Sequence, residues 1–272
     1  MQGKYAWRAV DVLTPRTLEE ALHLKAERPD AVPIQGGTDV MVEVNFDRAR
    51  PPALLNLNEV GELRGWSRQN GTLRLGSGLT YAEAMTPPLA EELRALAEAA
   101  RTVGGPQIRN RGTIGGNLGT ASPAGDALPP LLVFGAEVLL RSSRGERVVP
   151  LRDFLVGPKR NTLADDELIT AVLVKRAGAR QTFMKVGPRN AMVIAVVSLA
   201  VCVDEEQREI RASFGSAGPV PGLVTVPLDE ADELPERVAE AARPIDDVRG
   251  TARYRRHALG VLTSRALVRC LT

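Results

Sequence analysis

The chain has 272 residues, 44% hydrophobic and 25% charged, with a formal net charge of +2. That balance fits a globular chain long enough for two or three cores, and it lacks the strong basic excess of a dedicated nucleic-acid binder. No apolar run approaches the roughly 18 residues of a membrane span, and residues 1–10 hold no hydrophobic signal core, so a cytoplasmic location is the expectation. Cys202 and Cys270 are too few and too far apart for a zinc or iron–sulfur site.

Thr17-Leu18-Glu19-Glu20 has the form of a capping box and predicts a helix that Pro29 ends. Residues 31–34 read as a short strand running into Gln35-Gly36-Gly37-Thr38-Asp39. Two adjacent glycines let successive N–H groups turn to one side and form an anion-binding nest. Thr38 adds a hydroxyl, and Asp39 is placed to cap a following helix. The alternative is a tight strand-to-helix turn with no ligand. Residues 53–57 and 72–75 read as strands, with Asn70-Gly71 as a hairpin turn. Thr80 and Glu83 form a second capping box, and residues 91–102 read as one amphipathic helix ended by Gly104 or Gly105.

Residues 103–126, V-G-G-P-Q-I-R-N-R-G-T-I-G-G-N-L-G-T-A-S-P-A-G-D, are too dense in glycine for a core helix or an ordinary strand. Residues 128–134 form a buried helix or strand, 136–141 and 146–150 a hairpin, 154–161 a loop and 167–174 a strand. A domain break is expected at residues 176–180. Beyond it, strands at 182–186, 193–203 and 209–214 make a three-stranded sheet, a Gly/Pro loop spans 215–227, and helices cover 235–242 and 248–271. The last helix is basic on one face through Arg253, Arg255, Arg256, Arg265 and Arg269. Cys202 is expected to be a buried thiol, and His23 and His257 to be solvated.

Neither glycine segment fits G-x-G-x-x-G or G-x-x-x-x-G-K-[ST]. Two loops, 35–39 and 112–117, gripping one ligand suit a diphosphate shared between amide nests. Asp126, behind a proline-fixed turn, suits the hydroxyls of a ribose or ribityl chain, because a carboxylate accepts two hydrogen bonds at once; it could equally cap a turn.

P-I-Q-G-G-T-D, R-N-R-G-T-I-G-G-N-L, A-S-P-A-G-D and F-M-K-V-G-P-R, with Y-R-R-H-A-L-G-V-L-T-S-R-A-L at the end, resemble the FAD-binding (medium) subunit of the molybdenum hydroxylases. That family includes the xanthine dehydrogenases, aldehyde oxidoreductases and aerobic carbon monoxide dehydrogenases. The resemblance runs over nearly the whole chain. It implies an α+β fold, with a FAD-binding domain of two α/β subdomains of the vanillyl-alcohol oxidase type over residues 1–176. A small sheet-and-helix domain would follow over 177–272. By position, Ile34, Gln35, Gly36, Gly37, Thr38, Asp39 and Val40 would wrap the pyrophosphate, and Val103 and Gly104 would lie against the cofactor. Thr113, Ile114, Gly115, Gly116 and Asn117 would complete the phosphate site. Asp126 would bind sugar or ribityl oxygens, Ile169 would pack on the cofactor, and Lys185 would lie near the flavin ring, where a cation stabilises the charge of the reduced form.

No catalytic side chain or metal ligand is expected in this chain. The resemblance implies a large molybdenum-cofactor subunit and a small [2Fe-2S] subunit as partners, with electrons leaving through FAD to NAD⁺, a quinone or oxygen. The family often carries an acidic residue before Ile-Ala, where this chain has Met192-Val193, which leaves the acceptor open. Two other readings compete: a stand-alone FAD-dependent reductase on the same fold, and a non-catalytic interaction domain whose glycine loops are only structural. If Gly115 and Gly116 lie against pyrophosphate, valine at either should cost FAD affinity more than stability.

Overall fold

The computed structural model describes residues 10–175, 177–178 and 180–272. Its first unit is β1 (Asp11–Leu13), α1 (Leu18–Glu27), β2 (Ala31–Ile34), α2 (Val40–Asn45) and β3 (Ala53–Asn56). The strands pair in parallel in the order β1-β3-β2, and α1 lays Leu18, Ala21 and Leu22 on them. The first capping box is half formed. The Thr17 hydroxyl accepts the Glu20 N–H at 3.1 Å, but the Glu20 carboxylate accepts from Arg16 instead of Thr17.

The second unit begins with β4 (Trp66–Gln69) and β5 (Thr72–Gly76). Asn70 and Gly71 take φ of 49° and 79°, the left-handed pair of a tight hairpin. The partner across that turn is β4, which the sequence reading had missed; residues 53–56 belong to the other sheet. Then come α3 (Tyr81–Ala84), α4 (Leu89–Glu92), α5 (Arg94–Thr102), α6 (Pro106–Arg111), α7 (Ile114–Thr120) and α8 (Leu128–Val133). The second capping box, Thr80 with Glu83, is complete. The expected single helix over 91–102 is two, broken at Leu93. Gly104, at φ 44°, follows α5 as the expected stop.

The hairpin of β6 (Glu137–Ser142) and β7 (Gly145–Pro150) forms as expected. Residues 154–161, expected to be a loop, instead end α9 (Leu151–Phe154) and pair as β8 (Leu155–Gly157) with β9 (Arg160–Asn161). With β10 (Leu168–Val174), the second sheet is antiparallel in the order β4-β5-β10-β6-β7. Its core takes Leu75 and Val172 from strands and Leu96, Leu118 and Leu131 from helices.

The third unit has four antiparallel strands, not three: β11 (Arg180–Val186), β12 (Val197–Asp204), β13 (Glu209–Gly215) and β14 (Gly222–Pro227). The extra strand lies inside the segment expected to be a Gly/Pro loop, and β12 starts at Val197 rather than 193. Every residue of β12 is buried because the sheet is covered on both faces. Ala200 and Cys202 face the second unit, while Leu199 and Val201 face α10 (Leu234–Ala241) and α11 (Ala252–Leu271). Arg255, expected on the basic face of α11, is buried instead, bonded to the Ser216 carbonyl and to Asp247. The thiol of Cys202 is buried, and His23 and His257 are exposed. Among the described residues no helix is long and apolar enough to cross a membrane.

Candidate functional site

The loop after β2 is shaped by backbone contacts. Gly37 sits at φ 72°, which bends the chain from strand to helix. A Cβ on Gly36 would lie 2.2 Å from the Arg111 carbonyl oxygen, so this glycine lets the loop press against residues 111–112. The Arg111 guanidinium closes the contact by donating to the Gln35 carbonyl at 3.1 Å. Among the described residues, the N–H groups of Gly36, Gly37, Thr38 and Asp39 have no hydrogen-bond acceptor. Asp39 precedes α2 but does not cap it: its carboxylate accepts the Thr120 hydroxyl at 3.0 Å, from the far end of α7.

Residues 112–117 are the start of a helix and not an open loop. Each early N–H of α7 is already engaged: Ile114 with the Leu79 carbonyl, Gly115 with the Ser77 carbonyl, Gly116 with the Thr113 hydroxyl and Asn117 with the Thr113 carbonyl. The expected second amide nest is therefore absent. Between the side chains of Thr113, Asn117 and Thr120, α7 presents open backbone at Gly116 and Gly119. A Cβ on Gly116 would meet only the Thr113 hydroxyl, at 3.1 Å, and one on Gly119 only the tip of Ile169, at 3.9 Å. Gly115 differs: its Cβ would stand 2.5 Å from that of Ser77, so it is glycine for the sake of the protein's own packing.

Between loop 35–39 and α7 runs a cleft of about 300 Å³. It is lined by Ile34, Gln35, Gly36, Gly37, Thr38, Asp39, Val40, Thr113, Gly115, Gly116, Asn117 and Ile169, all expected at the site. Ser77, Tyr81, Gly119, Thr120 and Leu163 line it as well and were not anticipated. A readable signal for Ser77 existed: Gly76-Ser77-Gly78 ends β5 as a third glycine turn, and Gly78 makes room for the Gln35 side chain. The hydroxyl oxygen of Ser77 and Oδ1 of Asn117 are buried without partners.

The other expected residues lie off this cleft. Ile114 is wholly buried in the core. Val103 packs beside that core, and Gly104 turns the chain against Ile108. Asp126 and Lys185 find each other: Lys185 Nζ donates to Asp126 Oδ2 at 2.6 Å, with both side chains over nine-tenths buried. Lys185 is thus not a surface lysine, and the pair ties β11 to the turn before α8. Burial pushes the Asp126 carboxyl above its usual range, against the pull of Lys185. Its Oδ1 has no partner.

Unpaired amides across a cleft from the glycines of α7, with two orphaned buried polar oxygens in the lining, fit a ligand that is anionic in one part and rich in hydroxyls in another. Residues 8–174 match the family described as the FAD binding domain in molybdopterin dehydrogenase. The chain belongs to the FAD-binding subunits of the molybdenum hydroxylases. FAD is accordingly its cofactor, and it is an oxidoreductase subunit. It is 34% identical to the nicotinate dehydrogenase FAD-subunit of Eubacterium barkeri, covering 82% of this chain and 78% of that one. With the caffeine dehydrogenase subunit beta of a Pseudomonas species (strain CBB1) it shares 31% identity over 96% and 94% of the two chains. A carbon monoxide dehydrogenase structure from Hydrogenophaga pseudoflava superposes with a TM-score of 0.88 at 24% identity, covering 97% of this chain and 98% of that one, a likeness of fold.

Proposed function

We propose that this FAD-binding subunit relays electrons within a cytoplasmic three-component molybdenum hydroxylase. It receives them from [2Fe-2S] clusters on a small partner subunit, after oxidation of substrate at a large molybdenum-cofactor subunit, and delivers them to NAD⁺ or another acceptor. When bound, the flavin supplies exchange of electrons singly with clusters and in pairs with a hydride acceptor. The chain's own residues do the holding. The free N–H groups of residues 36–39 take the pyrophosphate, and Gly116 and Gly119 of α7 let it approach closely. Ser77, Asn117 and Asp126 offer acceptors to hydroxyls. Lys185 fixes Asp126 through a buried hydrogen bond and, on this reading, lies near the flavin ring. The parallel sheet and the five-stranded sheet are the two subdomains of a vanillyl-alcohol oxidase type cofactor domain, with the cleft between them.

The observation that most supports this reading is the row of unpaired amides at Gly36–Asp39 set against α7. It is tested on the purified chain by absorbance at about 450 nm, where oxidised flavin absorbs. A colourless chain that cannot be loaded with FAD would sink it. Co-expression with the two partner subunits then tests the relay: flavin reduction by substrate is expected only in the assembled complex, and NADH formation against dye reduction decides the acceptor.

A further inference from the structure

Tyr81 enters the wall of the cleft from an element that neither glycine segment marks. It is the first residue of α3, and its backbone N–H donates to the Gly112 carbonyl at 3.1 Å. Beside it, Thr80 bridges to Thr113. The ring is thereby pinned to the segment that leads into α7. It is held closely there: a Cβ on Gly112 would stand 3.0 Å from ring carbon Cε2 and 3.1 Å from Cδ2. The same glycine backs the anion loop, since a Cβ on Gly36 would lie 3.1 Å from the Gly112 Cα. Tyr81 and Gly36 thus both abut Gly112.

Most of Tyr81 is core. It is 5% exposed and belongs to the same cluster as Leu79 and Leu96. Its hydroxyl is the exception. A buried tyrosine hydroxyl usually finds a partner, yet this one has no hydrogen bond among the described residues, and the residue lines the cleft. A phenylalanine would fill the same core space without leaving a hydroxyl unpaired, so packing alone does not call for tyrosine. Burial, with the carboxylates of Asp126 and Asp39, pushes the phenol pKa up, so the group keeps its proton and stays a donor.

The charge of the lining sharpens the point. Among the described residues lining the cleft, Asp39 is the only charged one. A diphosphate in this cleft is therefore met by neutral donors rather than by a lysine or arginine in the wall. Backbone N–H groups supply part of that. Among hydroxyl side chains, a phenol is the most acidic and so the strongest donor to an anion.

We propose that the Tyr81 hydroxyl donates to the diphosphate of bound FAD, completing from α3 the anion site that the amides of Gly36–Asp39 begin. The proposal rests on FAD occupying this cleft and adds to that reading a side-chain donor outside both glycine segments.

The test is Tyr81→Phe in the full chain, which removes one oxygen and keeps the ring. The FAD dissociation constant, read by quenching of flavin fluorescence on titration of apoprotein, is expected to rise roughly 10- to 100-fold, the loss of one hydrogen bond to a charged acceptor. The apo melting temperature should not fall. Phosphorus NMR of the loaded proteins gives a readout that a packing role would not move: a diphosphate resonance of bound FAD should shift between wild type and variant, while the visible flavin band stays in place. Fluorotyrosine at position 81, a more acidic phenol of nearly the same shape, guards against a folding defect in Tyr81→Phe and should move the same resonance. An unchanged dissociation constant overturns the proposal, and so do phosphorus resonances that neither replacement moves. A displaced flavin band with unmoved phosphorus resonances also overturns it, by assigning the hydroxyl to the flavin end. A wild-type chain that cannot be loaded with FAD overturns the cofactor reading of the cleft as well; a wild type that loads, beside a Tyr81→Phe variant indistinguishable from it, overturns the role of Tyr81 alone.

Discussion

Gly115 and Gly116 are neighbours that are glycine for different reasons. A side chain on Gly115 runs into Ser77, whereas one on Gly116 points into the cleft and meets little. The shared expectation for the two, a loss of affinity rather than stability, therefore divides. Gly115→Val should lower the stability of the apoprotein by about 1–3 kcal/mol or more through overpacking, visible as a lower melting temperature. Gly116→Val should leave the apo melting temperature near wild type and reduce FAD occupancy; equal occupancy in both proteins would mean that the cofactor does not approach this wall. Asp247 makes a different prediction at the same scale. Burial acts to raise its pKa but is outweighed by the Arg249 N–H and by the Arg249 and Arg255 guanidinium groups, which leave it at about 2, below its ordinary 3.8. A lowered folded-state pKa means stabilisation that is complete above the unfolded value and lost as pH falls through the folded one. Asp247→Asn should therefore destabilise in urea unfolding near neutral pH, with the gap to wild type closing toward pH 2. A gap that does not change with pH would assign the role of Asp247 to packing.

The break between α4 and α5 shows what one helix owes to another element. Leu93, Leu96, Ala97 and Ala100 keep helical spacing, so sequence periodicity runs straight through the break. The chain breaks there because Gln181, on β11, supplies what the interrupted ladder lacks. Its Oε1 accepts the Ala95 N–H at 2.9 Å, and its Nε2 donates to the Glu92 carbonyl at 2.8 Å. A partner 86 residues away leaves no local trace. Glu98 strengthens the same junction by accepting from the Thr182 hydroxyl and the Phe183 N–H. Gln181→Leu would bury two unpaired backbone groups and should cost about 2–4 kcal/mol in urea unfolding. A loss of only a few tenths would mean that α5 can close its own ladder. The elements read correctly, such as the β6–β7 hairpin and the Thr80–Glu83 cap, are those whose deciding contacts lie within a few residues.

At the scale of the molecule, the chain passes from one sheet to another between β10 and β11, around the break expected near residue 176; Arg176 and Ala179 lie outside the described residues. Phe183, Ala200 and Cys202 from the C-terminal sheet join the core of the second unit, and the buried Lys185–Asp126 pair crosses the same boundary. A fragment ending at Val174, where the family match stops, would expose this apolar face and strand Asp126. It should aggregate or melt without a cooperative transition, as read by light scattering and calorimetry. A monomeric fragment with a sharp transition would establish an autonomous domain.

Taken by itself, the sequence determined the family, the cofactor and the loop at residues 35–39, because order and spacing of short glycine motifs are properties of the chain and need no folding to be read. It could not determine which backbone donors stay free. That depends on carbonyls brought in from elsewhere: Leu79 and Ser77 engage the first amides of α7, while nothing among the described residues reaches those of Gly36–Asp39. The tertiary structure alone decided that the two glycine segments differ, one keeping its amides unpaired and the other spending them on the start of a helix. It alone paired Lys185 with Asp126, because the partner of that buried carboxyl comes from a strand 59 residues away in the chain.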